Sequence, residues 1–324
     1  MIPVSPDITL APAELWRILG WPMLRLLLGL AAGLLLANIL EALQWTRRLA
    51  RLALPLVRAA HLGETAGAAF SLAFVSPAAA NGLLSEQYGR GALSGRELML
   101  SNLFNSLPAY VVHTPTIFFL TWPVLGMPAL TYVGLTLVAA MLRTGVTLWV
   151  SRRLLPPSRH NLTGTEPGSV IFGATCLQNA WKRFLRRLPR LVGFTAPMYV
   201  LMFFLQQYGW FGIAEQWLAE HMEWLAFLKP QAMGVIVLHL AAELGAALGA
   251  AGSVLQTGAL SSRDVVLALM VGNILSTPMR AIRHQLPAYA GFYRPALALK
   301  LLLANQGLRA FSMTLVTVGY FCWT

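Results

Sequence analysis

The sequence predicts an all-α integral membrane protein built from two inverted-topology repeats. Each repeat comprises three transmembrane helices, a re-entrant helical hairpin and an interfacial amphipathic helix. Three observations carry this expectation. Of 324 residues, 57% are hydrophobic and only 11% charged, and the mean hydropathy is +0.62. A soluble domain carries roughly 25% charged residues, so this chain has too little polar surface to cover a globule in water. Second, apolar stretches of about 20 residues recur along the chain, the length a spanning helix needs. Third, a motif pattern in the first half returns in the second at an offset of 165 to 171 residues.

Taken in order, the spans are Trp21–Leu43, Met99–Trp122, Leu130–Val150, Leu191–Tyr208, Val265–Ile282 and Ala296–Tyr320. Two further stretches, Ala66–Leu84 and Ala232–Leu255, are rich in Gly and Ala. Ser76-Pro77 interrupts the first of them, and proline removes a helical hydrogen bond. Small residues let backbones approach closely, and irregular backbone at membrane depth survives when buried in protein. Both stretches are therefore read as re-entrant hairpins, with full Gly/Ala-rich spanning helices as the alternative. Trp45–Ala60 is basic and amphipathic; Gly209–Pro230 is acidic, Trp-rich and amphipathic. Each reads as a helix lying in the interface plane. The acidic one serves either as a homodimer contact or as a membrane anchor. Residues 152–180 form a polar linker, so the first repeat is 1–151 and the second 181–324. Residues 1–21 lack the pattern of a cleaved signal.

The duplication rests on ordered matches. Gly91-Ala-Leu-Ser94-Gly-Arg96-Glu97 returns as Gly258-Ala-Leu-Ser261-Ser-Arg263-Asp264. Asn105, Pro108 and His113 are followed by Asn273, Pro278 and His284; Arg143 matches Arg309, and Trp16-Arg17 matches Trp181-Lys182. Charge sets orientation. The net charge of +12 comes from 24 Lys and Arg against 12 Asp and Glu. Basic residues cluster at Arg47–Arg58, Arg152–Arg190 and Arg280–Lys300, which the positive-inside rule places in the cytoplasm. The acidic segment with Glu215, Glu220 and Glu223 falls outside. These assignments put both termini outside and make the second repeat inverted, in a bacterial or archaeal cytoplasmic membrane. The basic segments are anchors for anionic lipid and not nucleic-acid sites.

Inverted repeats with broken helices are the architecture of secondary transporters, with the solute site near the midplane. The interruptions supply the candidate substrate-binding residues: Ser76 and Asn81, Asn105 and Ser106, Ser253, and Asn273, Ser276 and Thr277. Asn105 and Asn273 either bind a polar solute or hydrogen-bond the broken backbone. Glu243 lies in apolar sequence four residues after His239, a spacing that puts both on one helical face. An ionisable group at membrane depth costs roughly 2.5–3.5 kcal/mol on insertion scales and is a functional candidate for that reason. The pair either carries a coupling proton or cation, or forms a neutral hydrogen-bonded couple. Arg143 and Arg309 anchor an anionic solute, pair with Glu243 or Glu64, or reach to an interface. The two cysteines, Cys176 and Cys322, form no metal motif, and no nucleotide-binding or catalytic-triad motif occurs, so no cofactor, metal or enzymatic activity is expected.

Ala73-Phe-Val-Ser-Pro-Ala-Ala-Ala-Asn-Gly82, Gly91-Ala-Leu-Ser-Gly-Arg-Glu97 and Leu103-Phe-Asn-Ser-Leu-Pro108 together resemble the nucleoside-recognition or Gate family. The resemblance covers Glu64–Val150, with a weaker echo in Leu238–Val316. It implies kinship with spore-maturation proteins and with the Gate segments of ferrous-iron and concentrative nucleoside transporters. The iron-transporter Gate carries a cysteine at its break, and the equivalent stretches here, Ser76–Asn81 and Gly249–Ser253, have none. The expectation is thus a permease for a small polar or anionic solute, the alternative being a non-transporting membrane scaffold of the spore-maturation type.

Overall fold

The computed structural model describes residues 12–42, 55–156 and 228–324, with residues 178, 181–186, 188–189, 192–193, 196–197, 200, 203–204 and 208 between them. The described residues form helices and short turns, with no strand among them. Most of the basic amphipathic segment, most of the acidic one, most of the linker and much of the predicted span 191–208 lie outside the described residues.

In the first half, α1 is Trp21–Ala42, α2 Glu64–Ala73, α3 Pro77–Gly89, α4 Gly95–Phe104, α5 Ser106–Leu125 and α6 Met127–Leu154. In the second, α7 is Gln231–Gln256 and α8 Ser262–Leu275. A helical run follows through Thr277–Arg280, a π-turn Ala281–Gln285 and Leu286–Ala290, and α9 is Pro295–Trp323. Among the described helices, α6 and α9 are long and apolar enough to cross a membrane.

The α2–α3 hairpin forms where the sequence expects it. Ser76 adopts extended backbone, its Oγ accepts from the Ala79 amide at 3.2 Å, and Pro77 takes the first helical turn, where its missing N–H costs nothing. At about 15 Å and 20 Å, neither arm is long enough to cross a bilayer core of roughly 30 Å. The hairpin expected in Ala232–Leu255 is overturned. Those residues lie in one unbroken 26-residue helix, α7. Its stretch holds glycines but no proline, and glycine weakens a helix by about 1 kcal/mol without deleting a hydrogen bond. The end of the basic segment also departs from an interfacial role: Val57 and Ala60 are fully buried against Phe70 and Phe74.

The recurring motifs share their local structure. Gly91 and Gly258 take positive φ, +76° and +71°, at the same place in each half. Three residues on, Ser94 and Ser261 close capping boxes with Glu97 and Asp264, starting α4 and α8. Both helices then break. Asn105 (φ −63°, ψ −7°) interrupts α4 from α5, and Ser276 (φ −73°, ψ −8°) stops α8. Superposing the breaks pairs Asn105 with Ser276, Ser106 with Thr277, and Asn102 with Asn273. This corrects the Asn105–Asn273 pairing by three residues, close to one helical turn. The prolines misled that pairing, because Pro108 and Pro278 stand at different distances from their breaks.

The long helices α6 and α9 pack on each other, and each broken helix packs on both: α4 on α6 and α9, α8 on α9 and α6. The breaks are thereby held beside the middle of the bundle. Helices α7 and α8 lie unusually close, since a Cβ on Gly272 would fall 2.9 Å from His239 Cβ. Apolar side chains of α5 to α9 fill the largest core cluster, including Tyr132, Ile236, Leu248, Leu267 and Leu269.

Candidate functional site at the two helix breaks

A helix break frees backbone carbonyls and amides that must find partners. The two breaks meet that requirement differently. In the second half the carbonyl of Asn273 accepts from Ser276 Oγ and from Thr277 Oγ1, both at 3.1 Å. Arg309 of α9 donates from Nη2 to Asn273 Oδ1 at 2.7 Å. Asn273 Nδ2 donates to the Tyr132 hydroxyl of α6 at 3.0 Å, which ties the halves together. Arg280 Nη2 donates to Ser276 Oγ at 3.0 Å, and its charge acts on Arg309. Arg309 stands 14 residues from either end of α9, about 21 Å along the axis, and therefore at the middle of that helix.

In the first half, Arg143 of α6 occupies the equivalent place but finds little. Its Nη2 reaches only the Ser106 carbonyl, at 3.5 Å, and its Nε has no partner. Both polar atoms of the Asn105 side chain, Ser106 Oγ and Ser101 Oγ are likewise buried without a hydrogen bond. Each such group costs roughly 1–3 kcal/mol if nothing answers it, so an accumulation at one place calls for an explanation. The local cause is visible. Asn102, the counterpart of Asn273, turns the other way: its Nδ2 donates to Asn81 Oδ1 at 2.9 Å, and its Oδ1 accepts from the Tyr289 hydroxyl at 3.1 Å. Tyr293 adds a bond from its hydroxyl to the Asn81 carbonyl at 3.1 Å. Arg143 is thus deprived of the asparagine that Arg309 has.

The predicted site residues therefore divide. Asn105, Ser106 and Arg143 come together at the first break, and Asn273, Ser276, Thr277 and Arg309 at the second. Asn81 binds the hairpin to Asn102 and Tyr293, and Ser76 is occupied as a helix cap. Ser253 is buried in the last turn of α7. His239 is buried with Nδ1 unpartnered and lies against Gly272, next to Asn273. Glu243 lies one turn further along α7, and its side chain is outside the described part. The expected pairing of Glu64 with Arg143 or Arg309 does not occur. Glu64 is exposed on the first turn of α2, where a carboxylate complements the helix dipole.

The sequence reading missed Asn102, Tyr132, Arg280, Tyr289 and Tyr293. Arg280, read from the sequence as part of a cytoplasmic basic cluster, sits on a helical turn within electrostatic reach of Arg309. The signal for Asn102 was present, as an asparagine three residues before a break in each half. The tyrosines act on partners 141 to 212 residues away, which no local pattern reveals. Among the described residues, no three His, Cys, Asp or Glu side chains gather as metal ligands.

An all-helical bundle with two helices long and apolar enough to cross a membrane fits the class of α-helical membrane proteins. The Gate family, described as nucleoside recognition, matches residues 188–296, which include α7, α8 and the run into α9. That match bears out the resemblance but falls on the half where the sequence showed only its weaker echo. Three uncharacterized proteins of Methanocaldococcus jannaschii are similar over most of their length. One is 24% identical over 302 residues, covering 91% of this chain and 92% of its own. A second is 23% identical over 274 residues, covering 84% of each chain. The third is 19% identical over 274 residues, covering 83% of this chain and 88% of its own. No solved structure matches.

Proposed function

We propose that the protein is a secondary transporter or permease for a small anionic solute, working by alternating access between two inverted repeats. The observation that carries this reading is the pair of guanidiniums at the two breaks. Arg143 and Arg309 meet only neutral oxygens among the described residues, the Ser106 carbonyl and the Asn273 amide. A charge held at membrane depth with no ionic partner among the described residues is costly to keep, and an anion passing between the halves is the counter-charge that suits it. The shared local structure of the two broken helices supports the duplication, and the opposite charge of the two amphipathic segments supports the inversion. On this reading lipid covers the exposed apolar faces of α6 and α9. Glu243 and His239, one turn apart on α7, couple transport to a proton or cation. The chain works without a cofactor or metal.

The test is solid-supported membrane electrophysiology on proteoliposomes, with concentration jumps of phosphate, sulfate, succinate and, as an uncharged comparison, uridine. A transient with at least one anion, lost in Arg143→Gln and Arg309→Gln, is expected. Silence with every anion, or equal transients in the double variant, contradicts the proposal. A uridine response insensitive to both arginines supports a nucleoside solute instead. The scaffold alternative is favoured by one observation, the Asn81–Asn102–Tyr289–Tyr293 network that ties the hairpin to the second half. It expects no transient and a partner protein that remains bound through purification.

A further inference from the structure

We infer that the first-half break is a binding site for one small oxyanion, held by Arg143, Asn105 and Ser106, while the second-half break is occupied internally by Asn273. The inference deepens the permease reading by naming the site and the solute's binding group. It is tested by binding alone, so the two can fail separately.

Three side chains, each at least nine-tenths buried, carry unanswered polar atoms here: Arg143 is 6% exposed, Asn105 9% and Ser106 9%. Arg143 Nε, Asn105 Nδ2 and Ser106 Oγ are hydrogen-bond donors without an acceptor. The one contact of Arg143, at 3.5 Å to the Ser106 carbonyl, ties it to the break residue beside Asn105. A guanidinium offers a planar fork that matches the paired oxygens of a carboxylate, phosphate or sulfate, and it repels cations. On this inference the oxyanion takes these three donors, brought to one place by the contact of Arg143 with Ser106. A water molecule leaves the guanidinium charge unneutralised.

The second break shows what such a site looks like when filled. There Arg309 already holds an oxygen at 2.7 Å, Asn273 Oδ1, and Asn273 spends its own donor on Tyr132. The side-chain amide stands where an anion's oxygen would be. At the first break the matching asparagine, Asn102, is held away by Asn81 and Tyr289, which leaves the place to a solute. Free anion and lipid headgroup share this chemistry, but depth favours the free anion. Arg143 lies 11 residues before the end of α6, about 16 Å along its axis, and 16 residues after the start, about 24 Å.

The experiment uses the full chain in nanodiscs of phosphatidylcholine, which supply no anionic headgroup. Thermal unfolding is followed while sodium phosphate, sulfate or acetate is titrated against sodium chloride at constant ionic strength, and calorimetry gives the stoichiometry. The melting temperature should rise with the logarithm of oxyanion concentration above Kd, with one anion per chain. Arg143→Gln should weaken binding at least about tenfold and Arg309→Gln less, since charge-assisted hydrogen bonds are lost only in the first. The exposed-residue variant Arg90→Gln should bind as wild type. Should Arg143→Gln fail to fold, the Asn105→Ala, Ser106→Ala double variant gives the same reading. No rise for any oxyanion, a rise undiminished in the first-break variants, a stoichiometry of two, or a larger loss in Arg309→Gln overturns the inference. A rise appearing only when phosphatidylglycerol replaces phosphatidylcholine also overturns it, in favour of a headgroup. Binding without flux removes the permease reading and leaves the site; flux without binding at Arg143 does the reverse.

Discussion

The two helix breaks use equivalent residues to opposite ends. Both follow an asparagine by three residues, both face an arginine on the long helix that closes their half, and both sit in the middle of the bundle. In the second half Asn273 turns to Arg309 and Tyr132, and its carbonyl is covered by Ser276 and Thr277. In the first half Asn102 turns to Asn81 and Tyr289, and the arginine is left with one long contact. A duplicated motif can thus become a structural joint in one copy and an open polar site in the other. What decides is which neighbour claims the asparagine.

The largest effect should come from removing each arginine in turn. Arg309→Met takes a charge-assisted bond from Asn273 and leaves its amide oxygen buried and unanswered, costing about 2–3 kcal/mol in thermal or denaturant unfolding. Arg143→Met removes a weakly bonded buried charge and should be neutral or stabilising in the absence of anion, because an apolar replacement relieves the desolvation. Equal losses in the two variants would erase the contrast. Next, Asn102→Ala should cost about 2 kcal/mol by breaking the link to Asn81 and Tyr289, whereas Asn105→Ala, which loses no hydrogen bond, should cost well under 1 kcal/mol. Melting curves of the two variants measure the difference.

Gly272→Ala should cost about 1–3 kcal/mol, since its Cβ would meet His239 Cβ at 2.9 Å, Nδ1 at 3.0 Å and Cγ at 3.1 Å, and His239→Ala, which removes the ring atoms and keeps Cβ, should recover part of that loss. The smallest effects belong to the caps. Ser94→Ala and Ser261→Ala should each cost about 1 kcal/mol. The Ser261 box should also respond to acid. Burial pushes the Asp264 carboxyl up, but hydrogen bonds from Lys229 and from the hydroxyl and amide of Ser261, with the Lys229 charge, outweigh it and hold it below the usual 3.8. A lowered carboxyl stabilises the fold above its unfolded pKa, so this contribution is present at neutral pH and is lost as pH falls through the folded value. Acid unfolding of wild type against Asp264→Asn measures it.

Much of this arrangement was legible in the sequence. Ser76-Pro77 announced the hairpin turn, the Gly-Ala-Leu-Ser motifs announced two helix starts, and the matching arginines announced their equivalent places on the two closing helices. Composition and span length announced the membrane. The unbroken α7 was not legible, because Gly and Ala permit both a hairpin and a straight helix and only packing against α8 and α5 selects the latter. Nor was the difference between the breaks. It depends on Tyr132, Tyr289 and Asn81, which reach Asn273 and Asn102 through tertiary contacts rather than helical spacing. The register of the duplication was blurred by prolines that drifted relative to the break, and the backbone angles of Asn105 and Ser276 restore it.

The difference between the breaks is tested most directly by anomalous diffraction from crystals of the full chain grown with selenate, a tetrahedral oxyanion that scatters anomalously. The account predicts one selenium peak with its oxygens within hydrogen-bond reach of Arg143 Nε and Ser106 Oγ, and Arg309 still bonded to Asn273. A peak between Arg309 and Asn273, or none beside Arg143 at saturating selenate, would contradict it.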